Sequence, residues 1–238
     1  MPPDRDRWLT LTRETWNERA TWWDECSELN AHSVERTADL ARTTKALRLR
    51  PGATVLDAGC GSGQFAVAFA ELGCLVTGID VSPEMLSRAR AHAVERGVSV
   101  AWRDGDLAHI ADPAATYDAI HARVSLQFMV DLVATLGEFR RVLKPAGRLF
   151  ASVPGALSPI YGRSWRRFLE PEGAAVNFVT PWELEALLVE LDWRLIDGWG
   201  EFGQTIDGVA NPLSARVMAG RDRRLRQAAA TTWAIIAE

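Results

Sequence analysis

Three glycines at alternate positions follow an acidic residue, and this spacing is the first sign of a ligand site. Asp57 ends an apolar run. Gly59, Gly61 and Gly63 follow it, and a helical pattern begins directly behind them. Glycine is needed where the backbone takes a positive φ or lies close to a ligand, and a helix start offers free N–H groups and a positive dipole end. The stretch therefore predicts a small-molecule site at the carboxyl end of a buried parallel strand.

Two further acidic residues follow the next two predicted strands, where they could bind the polar groups of a nucleoside. Asp80 lies about 20 residues past the glycine turn, and an acid at that distance can accept both hydroxyls of a ribose. Asp106 can accept from an exocyclic amine such as adenine N6, with Val81 and Leu107 on either side of the base. Asp104 is an alternative for that role. Together these positions fit an adenosine-type ligand.

The glycine spacing argues against a dinucleotide. The Rossmann fingerprint needs a third glycine one residue later than Gly63, where this chain has Gln64. A phosphate-binding loop would need Gly-Lys-Ser or Gly-Lys-Thr, which the turn lacks. Asp57 would repel a pyrophosphate but suits a cationic ammonium, although it could also serve only to hold the backbone of the turn. Adenosine and an amino-acid tail together describe S-adenosylmethionine.

Hydrophobic patterns predict the elements that position these residues. Residues 4–49 are predicted to be helical, and a strand–helix alternation follows from residue 53 to residue 153. Strands that are apolar almost throughout, separated by helices, predict a parallel sheet covered on both faces. A sixth strand is expected at residues 193–199. A late β run at 231–237 suits an antiparallel addition to the sheet.

Four segments, in order, resemble the motifs of a known family. They are residues 55–63, 78–86, 105–107 and 143–148, and together they resemble the class I S-adenosylmethionine-dependent methyltransferases. Residues 122–128 resemble the corresponding segment of small-molecule members. The resemblance implies a Rossmann-like α/β three-layer sandwich, whose seven-stranded and mostly parallel sheet has an antiparallel last strand. The cofactor contacts we expect from it are Asp57, Gly59, Cys60, Gly61, Gly63, Asp80, Val81, Met85, Asp106, Leu107 and Ala122.

A methyltransferase site needs alignment more than it needs acid–base groups. Methyl transfer from a sulfonium is an in-line displacement, and orientation of this kind can supply roughly 7–11 kcal/mol. A lid that excludes water supports it. A general base is needed only where the nucleophile keeps its proton. His121 is the candidate, with a satisfied core histidine as the alternative. No metal is expected.

Substrate contacts are predicted in the N-terminal helical region, after the fourth strand and after the fifth strand. The residues are Trp16, Trp22, Trp23, Arg123, Gln127, Tyr161, Trp165 and Arg166. The tryptophans could instead serve only as packing, and an arginine could hold a substrate carboxylate. We therefore expect residues 1–50 to form a helical lid. Residues 51–238 would form the cofactor-binding domain, with substrate-cover insertions at about 154–179 and 200–230.

Composition limits the possible partners. The 238 residues carry a net charge of −4, which argues against a general binder of nucleic acid or of an anionic membrane. Cys26, Cys60 and Cys74 form no CxxC pair, so neither a disulfide framework nor a zinc cluster is expected. No apolar run approaches the ~18 residues of a membrane span, and the N-terminus has no secretory pattern. We expect a cytoplasmic monomer or homodimer.

The leading hypothesis from the sequence is methyl transfer to a small organic acceptor, aromatic or otherwise apolar. Three alternatives stay open at this point. The first is an RNA or protein methyltransferase, the second a catalytically silent S-adenosylmethionine-binding regulator, and the third a nucleotide-dependent oxidoreductase. The acceptor atom is not determined, because O-, N-, S- and C-methyltransferases share the cofactor half of the fold.

Overall fold

Seven strands form one mixed sheet in the part of the chain that the computed structural model describes, which is residues 4–31, 34–158, 161, 175–202 and 222–238. The strand order is β3-β2-β1-β4-β5-β7-β6. The strands are β1 (Thr54–Ala58), β2 (Leu75–Asp80), β3 (Ala101–Asp104), β4 (Tyr117–Arg123), β5 (Leu143–Pro154), β6 (Leu195–Glu201) and β7 (Thr232–Ala237). Only β7 runs antiparallel to its neighbours, β5 and β6. The predicted fold is therefore confirmed, including the antiparallel last strand.

Seven α-helices lie in the described residues. They are α1 (Arg5–Ala31), α2 (Val34–Ala46), α3 (Gln64–Glu71), α4 (Pro83–Glu95), α5 (Leu132–Val142), α6 (Pro181–Glu190) and α7 (Arg223–Ala229). Local sequence sets several of their starts. The Ser82 hydroxyl accepts from the Met85 N–H at the start of α4, and Thr180 forms a capping box with Glu183 at the start of α6. None of the described helices is long and apolar enough to span a membrane.

The core lies on both faces of the sheet. Leu56, Ile120 and Leu149 pack on one face with side chains of α5 and α6. Val55 and Phe150 point to the other face, where α2 and α3 cover the sheet. Because successive strand residues point to opposite faces, strands covered on both sides are apolar at nearly every position. This is why their sequences show continuous apolar runs rather than alternation.

The boundaries of two predicted strands differ from the structure. The sixth strand, expected at 193–199, is β6 at Leu195–Glu201. The apolar run at 98–102 predicts the third strand, but β3 begins at Ala101 and is mostly exposed, because it is an edge strand that pairs only with β2. Val100 packs beneath the sheet beside the β1–β2 core instead of extending the strand. The arginine-rich run at 216–226 predicts a basic helix. The structure describes α7 from Arg223 onward, and residues 203–221 lie outside the described residues.

Candidate active site

A cavity of about 640 Å³ lies where the carboxyl ends of β1, β2 and β4 meet helix α1. Its wall contains Asp57, residues 59–62 of the glycine turn, and Asp80 at the end of β2. Asp106, from the loop after β3, completes the acidic side of the wall. This volume is typical of small-molecule sites, which commonly measure roughly 300–1,000 Å³. The structure thus brings together the three acids that the sequence placed at strand ends.

Asp80 is held by backbone donors at the floor of the cavity. Its Oδ2 accepts from the Gly61 N–H at 2.8 Å, and its Oδ1 accepts from the Ser82 N–H at 2.9 Å. Burial raises the pKa of Asp80 to about 6, although these hydrogen bonds oppose the shift. Each carboxylate oxygen still has a lone pair for a ligand hydroxyl. The arrangement suits a ribose.

Glycine is required at the three positions of the turn for different physical reasons. All have positive φ, at 73° for Gly59, 53° for Gly61 and 81° for Gly63. A Cβ on Gly59 would lie 2.4 Å from the Cβ of Ser125, and one on Gly63 would lie 2.6 Å from the Trp102 ring. Gly63 is absent from the cavity wall, so it serves the packing between α3 and its neighbours. Gly61 faces the cavity and leaves its backbone open to a ligand.

Asp106 and Asp104, the two candidates to bind the adenine amine, differ in their position relative to the cavity. Asp106 lines the cavity with Leu107, whereas Asp104 lies outside the wall and pairs with Arg13 at 3.7 Å. Asp106 already has partners. Its Oδ1 accepts from the Ala108 N–H at 3.0 Å, and the guanidinium of Arg5 donates to its Oδ2. The first turn of α1 therefore reaches the predicted adenine site.

His121 lies beside Asp57 and, like it, lines the cavity. Its Nδ1 is 2.8 Å from Asp57 Oδ1, and the two residues are 1% and 3% exposed. The imidazole is stacked on Phe150 at 4.8 Å and packs against Phe65 at 4.5 Å and Phe69 at 5.2 Å. Burial, with two nearby arginines, lowers the pKa of His121 despite the opposing effect of Asp57. His121, the base suggested by the sequence, is thus a neutral imidazole whose Nδ1 is already hydrogen-bonded to Asp57.

Arg123 is neutralised by two acids rather than presented as a free cation. It pairs with Asp39 of α2 at 2.7 Å and with Glu201 at the end of β6 at 2.7 Å. Burial raises the pKa of Asp39 to about 7. Arg36, whose guanidinium lies 3.9 Å from the Phe65 ring centroid, also lines the cavity. The sequence did not single out Arg36, because nothing in the helical pattern of residues 4–49 separates it from surface arginines.

One face of α1 forms a wall of the cavity. The wall residues recur at helical spacing and are Leu9, Thr12, Trp16, Arg19, Trp22, Trp23 and Cys26. Trp16 packs edge-on against Trp23 at 5.6 Å and against Phe128 at 5.1 Å. The same tryptophan rings therefore pack against one another and line the cavity.

Hydrogen bonds attach α1 to the sheet side of the cavity. The indole N–H of Trp8 donates to the Phe128 carbonyl at 2.7 Å, and Arg13 donates to the Val81 carbonyl at 3.1 Å. The Ser82 hydroxyl donates to Asn17 at 2.7 Å. These three contacts hold the helix over the cavity along its first half.

Gln127 contributes an unpaired acceptor to the wall. Its side chain is fully buried, and its Nε2 donates to the Val124 carbonyl at 2.8 Å. Among the described residues its Oε1 has no hydrogen-bond partner, and the residue lines the cavity. A buried acceptor without a partner favours a ligand that brings a donor. Other wall residues that the sequence did not indicate are Phe128, Met129, Val130, Phe202 and Thr232.

Three predicted contacts lie elsewhere. Gly63 and Ala122 are outside the cavity wall, and Ala122 is fully buried in the core beneath the sheet. Tyr161 donates to the Val179 carbonyl at 3.1 Å and also stays outside the wall. The structure therefore does not support these three as ligand contacts. Trp165 and Arg166 lie outside the described residues.

The sheet order, the glycine turn after β1 and the acids at the carboxyl ends of β1, β2 and β3 define a class of enzyme. The chain belongs to the class I S-adenosylmethionine-dependent methyltransferases, and residues 55–147 match the family described as a methyltransferase domain. It is an enzyme that uses S-adenosylmethionine to methylate a small-molecule acceptor.

Named relatives are ubiquinone biosynthesis O-methyltransferases. The chain is 36% identical to that of Xanthomonas axonopodis pv. citri over 63% of this chain and 66% of the relative. It is 33% identical to that of Xanthomonas campestris pv. campestris over 74% and 77% of the respective chains. A SAM-dependent methyltransferase from Aquifex aeolicus superposes with a TM-score of 0.62 at 19% identity, covering 90% of this chain and 96% of that chain. That likeness concerns the fold alone.

Proposed function

We propose that this protein methylates a hydroxyl of a neutral, aromatic small molecule held beneath α1. The observation that carries the proposal is that one cavity contains both the three strand-end acids and the aromatic face of α1. The acids and the glycine turn fit a cofactor, and the aromatic face fits an apolar acceptor. The two ligands would then lie side by side, as an in-line displacement requires.

The cofactor half of the cavity fits S-adenosylmethionine by its donor and acceptor set. When bound, the cofactor supplies a methyl group that its sulfonium already activates. Asp80 would accept from the ribose hydroxyls and Asp106 from the adenine amine, since both line the cavity. Asp57 would accept from the tail ammonium, and Arg36, in the same wall, would bind the tail carboxylate.

The acceptor half favours a neutral hydroxyl compound. Arg123 is paired with Asp39 and Glu201, so an anionic acceptor gains little attraction from it. The free Oε1 of Gln127 can accept a hydrogen bond from a hydroxyl. The names of the relatives, which are O-methyltransferases, agree with oxygen as the acceptor atom.

The residues of the chain position the reactants and exclude water, and Gln127 fixes the acceptor oxygen. An amide cannot remove a proton, so Gln127 only orients the hydroxyl. The oxygen takes the methyl group as the bond from that group to sulfur breaks, and the hydroxyl proton is released to solvent. A phenol acidic enough to ionise easily therefore suits this site better than an aliphatic alcohol. Residues 1–50, which contain α1 and α2, act as the lid that closes the cavity from solvent.

Binding and transfer experiments test the proposal. Calorimetry should detect S-adenosylmethionine binding and no NAD binding. A methyl-transfer screen should then show phenols and catechols as better acceptors than amines or carboxylates. Transfer only to amines or carboxylates would contradict the acceptor class. Tight cofactor binding with no acceptor in any class would favour the silent regulator instead.

The remaining expectations concern the setting of the enzyme. A monomer or homodimer in the cytoplasm, with no nucleic-acid or membrane partner, is consistent with the net charge of −4. Light scattering during size-exclusion chromatography measures the oligomeric state. A species larger than a dimer would refute that part of the proposal.

A further inference from the structure

We propose that His121 is a positioning residue that orients the Asp57 carboxylate, and that it thereby sets the affinity for the amino-acid tail of the cofactor. This inference rests on the proposed function, in which Asp57 receives the ammonium of that tail. It assigns His121 a role different from the general base that the sequence suggested.

The sheet register places the two side chains together. Asp57 on β1 and His121 on β4 are direct partners in a parallel pair, so their side chains project from the same face of neighbouring strands. The Nδ1–Oδ1 distance is 2.8 Å, and both side chains are almost completely buried. Since strands in the middle of a sheet cannot slide, the backbone itself fixes this contact.

The aromatic surroundings fix the imidazole in one orientation. Phe65, Phe69 and Phe150 contact the ring with centroid distances between 4.5 and 5.2 Å. A neutral ring beside a carboxylate places its single N–H on Nδ1, where the N–H donates to Asp57. The carboxylate is then held with one oxygen on His121 while the residue still lines the cavity.

The other ring nitrogen shows that packing alone does not explain the histidine. Among the described residues, Nε2 has no hydrogen-bond partner and is inaccessible to solvent. A buried acceptor without a partner costs free energy, and a phenylalanine in the same aromatic cage would avoid that cost. The contact that a phenylalanine cannot make is the hydrogen bond from Nδ1 to Asp57.

Two variants of His121 separate the donor from the packing. His121→Phe keeps an aromatic ring among the three phenylalanines and removes the donor. His121→Asn keeps an amide N–H close to the Nδ1 position and gives up the ring. The ligands are S-adenosylhomocysteine and 5′-methylthioadenosine, which lacks the amino-acid tail. Calorimetry gives the Kd of each, and thermal unfolding confirms that each variant is folded.

We expect His121→Phe to weaken S-adenosylhomocysteine binding at least tenfold. Its Kd for 5′-methylthioadenosine should stay within twofold of the wild-type value. His121→Asn should restore most of the lost affinity. Unchanged affinity for S-adenosylhomocysteine in His121→Phe would overturn the inference. So would an equal loss for both ligands, because that result indicates a packing role. If His121→Phe does not fold, His121→Gln, which moves the amide away from Asp57, takes its place with the same expectation.

Asp57→Ala distinguishes failure of the inference from failure of the proposed function. If Asp57→Ala weakens S-adenosylhomocysteine binding and His121→Phe does not, only the role of His121 is refuted. If Asp57→Ala leaves that affinity unchanged, Asp57 does not bind the ammonium. The proposed cofactor arrangement then fails together with the inference.

Discussion

At the residue scale, Asp80 shows how a single carboxylate becomes a ligand group. Two backbone N–H groups fix its orientation, and burial raises its pKa to about 6. The desolvation that raises the pKa also strengthens any hydrogen bond that the carboxylate accepts. A residue held in this way recognises hydroxyls with little loss of conformational freedom on binding.

Removing the Asp80 carboxylate should weaken cofactor binding. We expect Asp80→Ala to raise the Kd for S-adenosylmethionine at least tenfold, or about 1.4 kcal/mol, because two ribose hydroxyls lose their acceptor. Calorimetry measures the change. Asp197→Ala, which removes an exposed carboxylate on β6 outside the cavity wall, is the matched control and should bind normally. Equal affinity of the two variants for S-adenosylmethionine would show that Asp80 does not bind the ribose.

The raised pKa of Asp80 predicts a pH dependence of binding. Below about pH 6 the carboxyl takes up a proton and loses acceptor capacity. The Kd for S-adenosylhomocysteine should therefore rise as the pH falls from 7.5 to 5. The amide of Asp80→Asn cannot titrate. This variant should bind S-adenosylhomocysteine more weakly, and its Kd should change less between pH 7.5 and pH 5. Parallel pH profiles for the two proteins would assign the titration to another group.

At the element scale, α1 joins the two halves of the cavity. Its cavity-facing residues recur mostly every three or four positions, with Trp22 and Trp23 adjacent, so one broad face of the helix presents them all. Arg5 reaches Asp106 at the adenine end, and Trp16 and Trp23 form the aromatic wall. We therefore expect α1 to move, at least in part, when ligands enter or leave.

Loosening α1 should speed ligand release. Trp8→Phe keeps a ring but loses the N–H that donates to the Phe128 carbonyl. A hydrogen bond worth about 1 kcal/mol corresponds to roughly a fivefold change, so we expect S-adenosylhomocysteine to dissociate about five times faster. Stopped-flow displacement measures the rate.

Trp182→Phe on α6, outside the cavity wall, is the control for that experiment. It should leave the dissociation rate unchanged. An unchanged rate in Trp8→Phe as well would show that this contact does not hold the helix closed.

At the scale of the whole molecule, a buried charge cluster joins α2 to two separate strands. Asp39 of α2, Arg123 of β4 and Glu201 of β6 meet at 2.7 Å contacts. Thr232 of β7 donates to Glu201 at 2.6 Å. The cluster thereby fixes the second N-terminal helix on the sheet, behind the acceptor half of the cavity.

This cluster predicts how stability depends on pH. Asp39 has a pKa of about 7 in the folded protein, above its unfolded value, so folding takes up a proton between roughly pH 4 and 7. Its contribution to stability is greatest at low pH and is lost as the pH rises through 7.

The free energy of unfolding of the wild type should therefore fall relative to Asp39→Asn between pH 5 and 8. We expect a relative change of at least about 1.4 kcal/mol, the equivalent of one pKa unit. Urea denaturation at each pH measures it, and the exposed Asp197→Asn should show no such change. A constant difference between wild type and Asp39→Asn would contradict the raised pKa of Asp39.

The sequence by itself determined the cofactor half of the site. Asp57 and Asp80 lie at the ends of their strands and Asp106 just after its strand, and in a parallel sheet all carboxyl ends meet at one edge. Their convergence therefore needs only the strand–helix pattern and the glycine turn, which are local properties of the chain. The antiparallel last strand was predictable in the same way, from a late β run after an irregular segment.

Only the tertiary structure decided the surroundings of those residues. The Asp57–His121 contact depends on the register of two strands 64 positions apart, and the neutralisation of Arg123 depends on α2 and β6 arriving at the same point. Gly63 was predicted as a ligand contact from its place in the turn, but it packs against Trp102. Local pattern places a residue on an element and at one of its ends. Which partners meet there is set by long-range packing, because burial and ion pairing depend on every element that reaches the site.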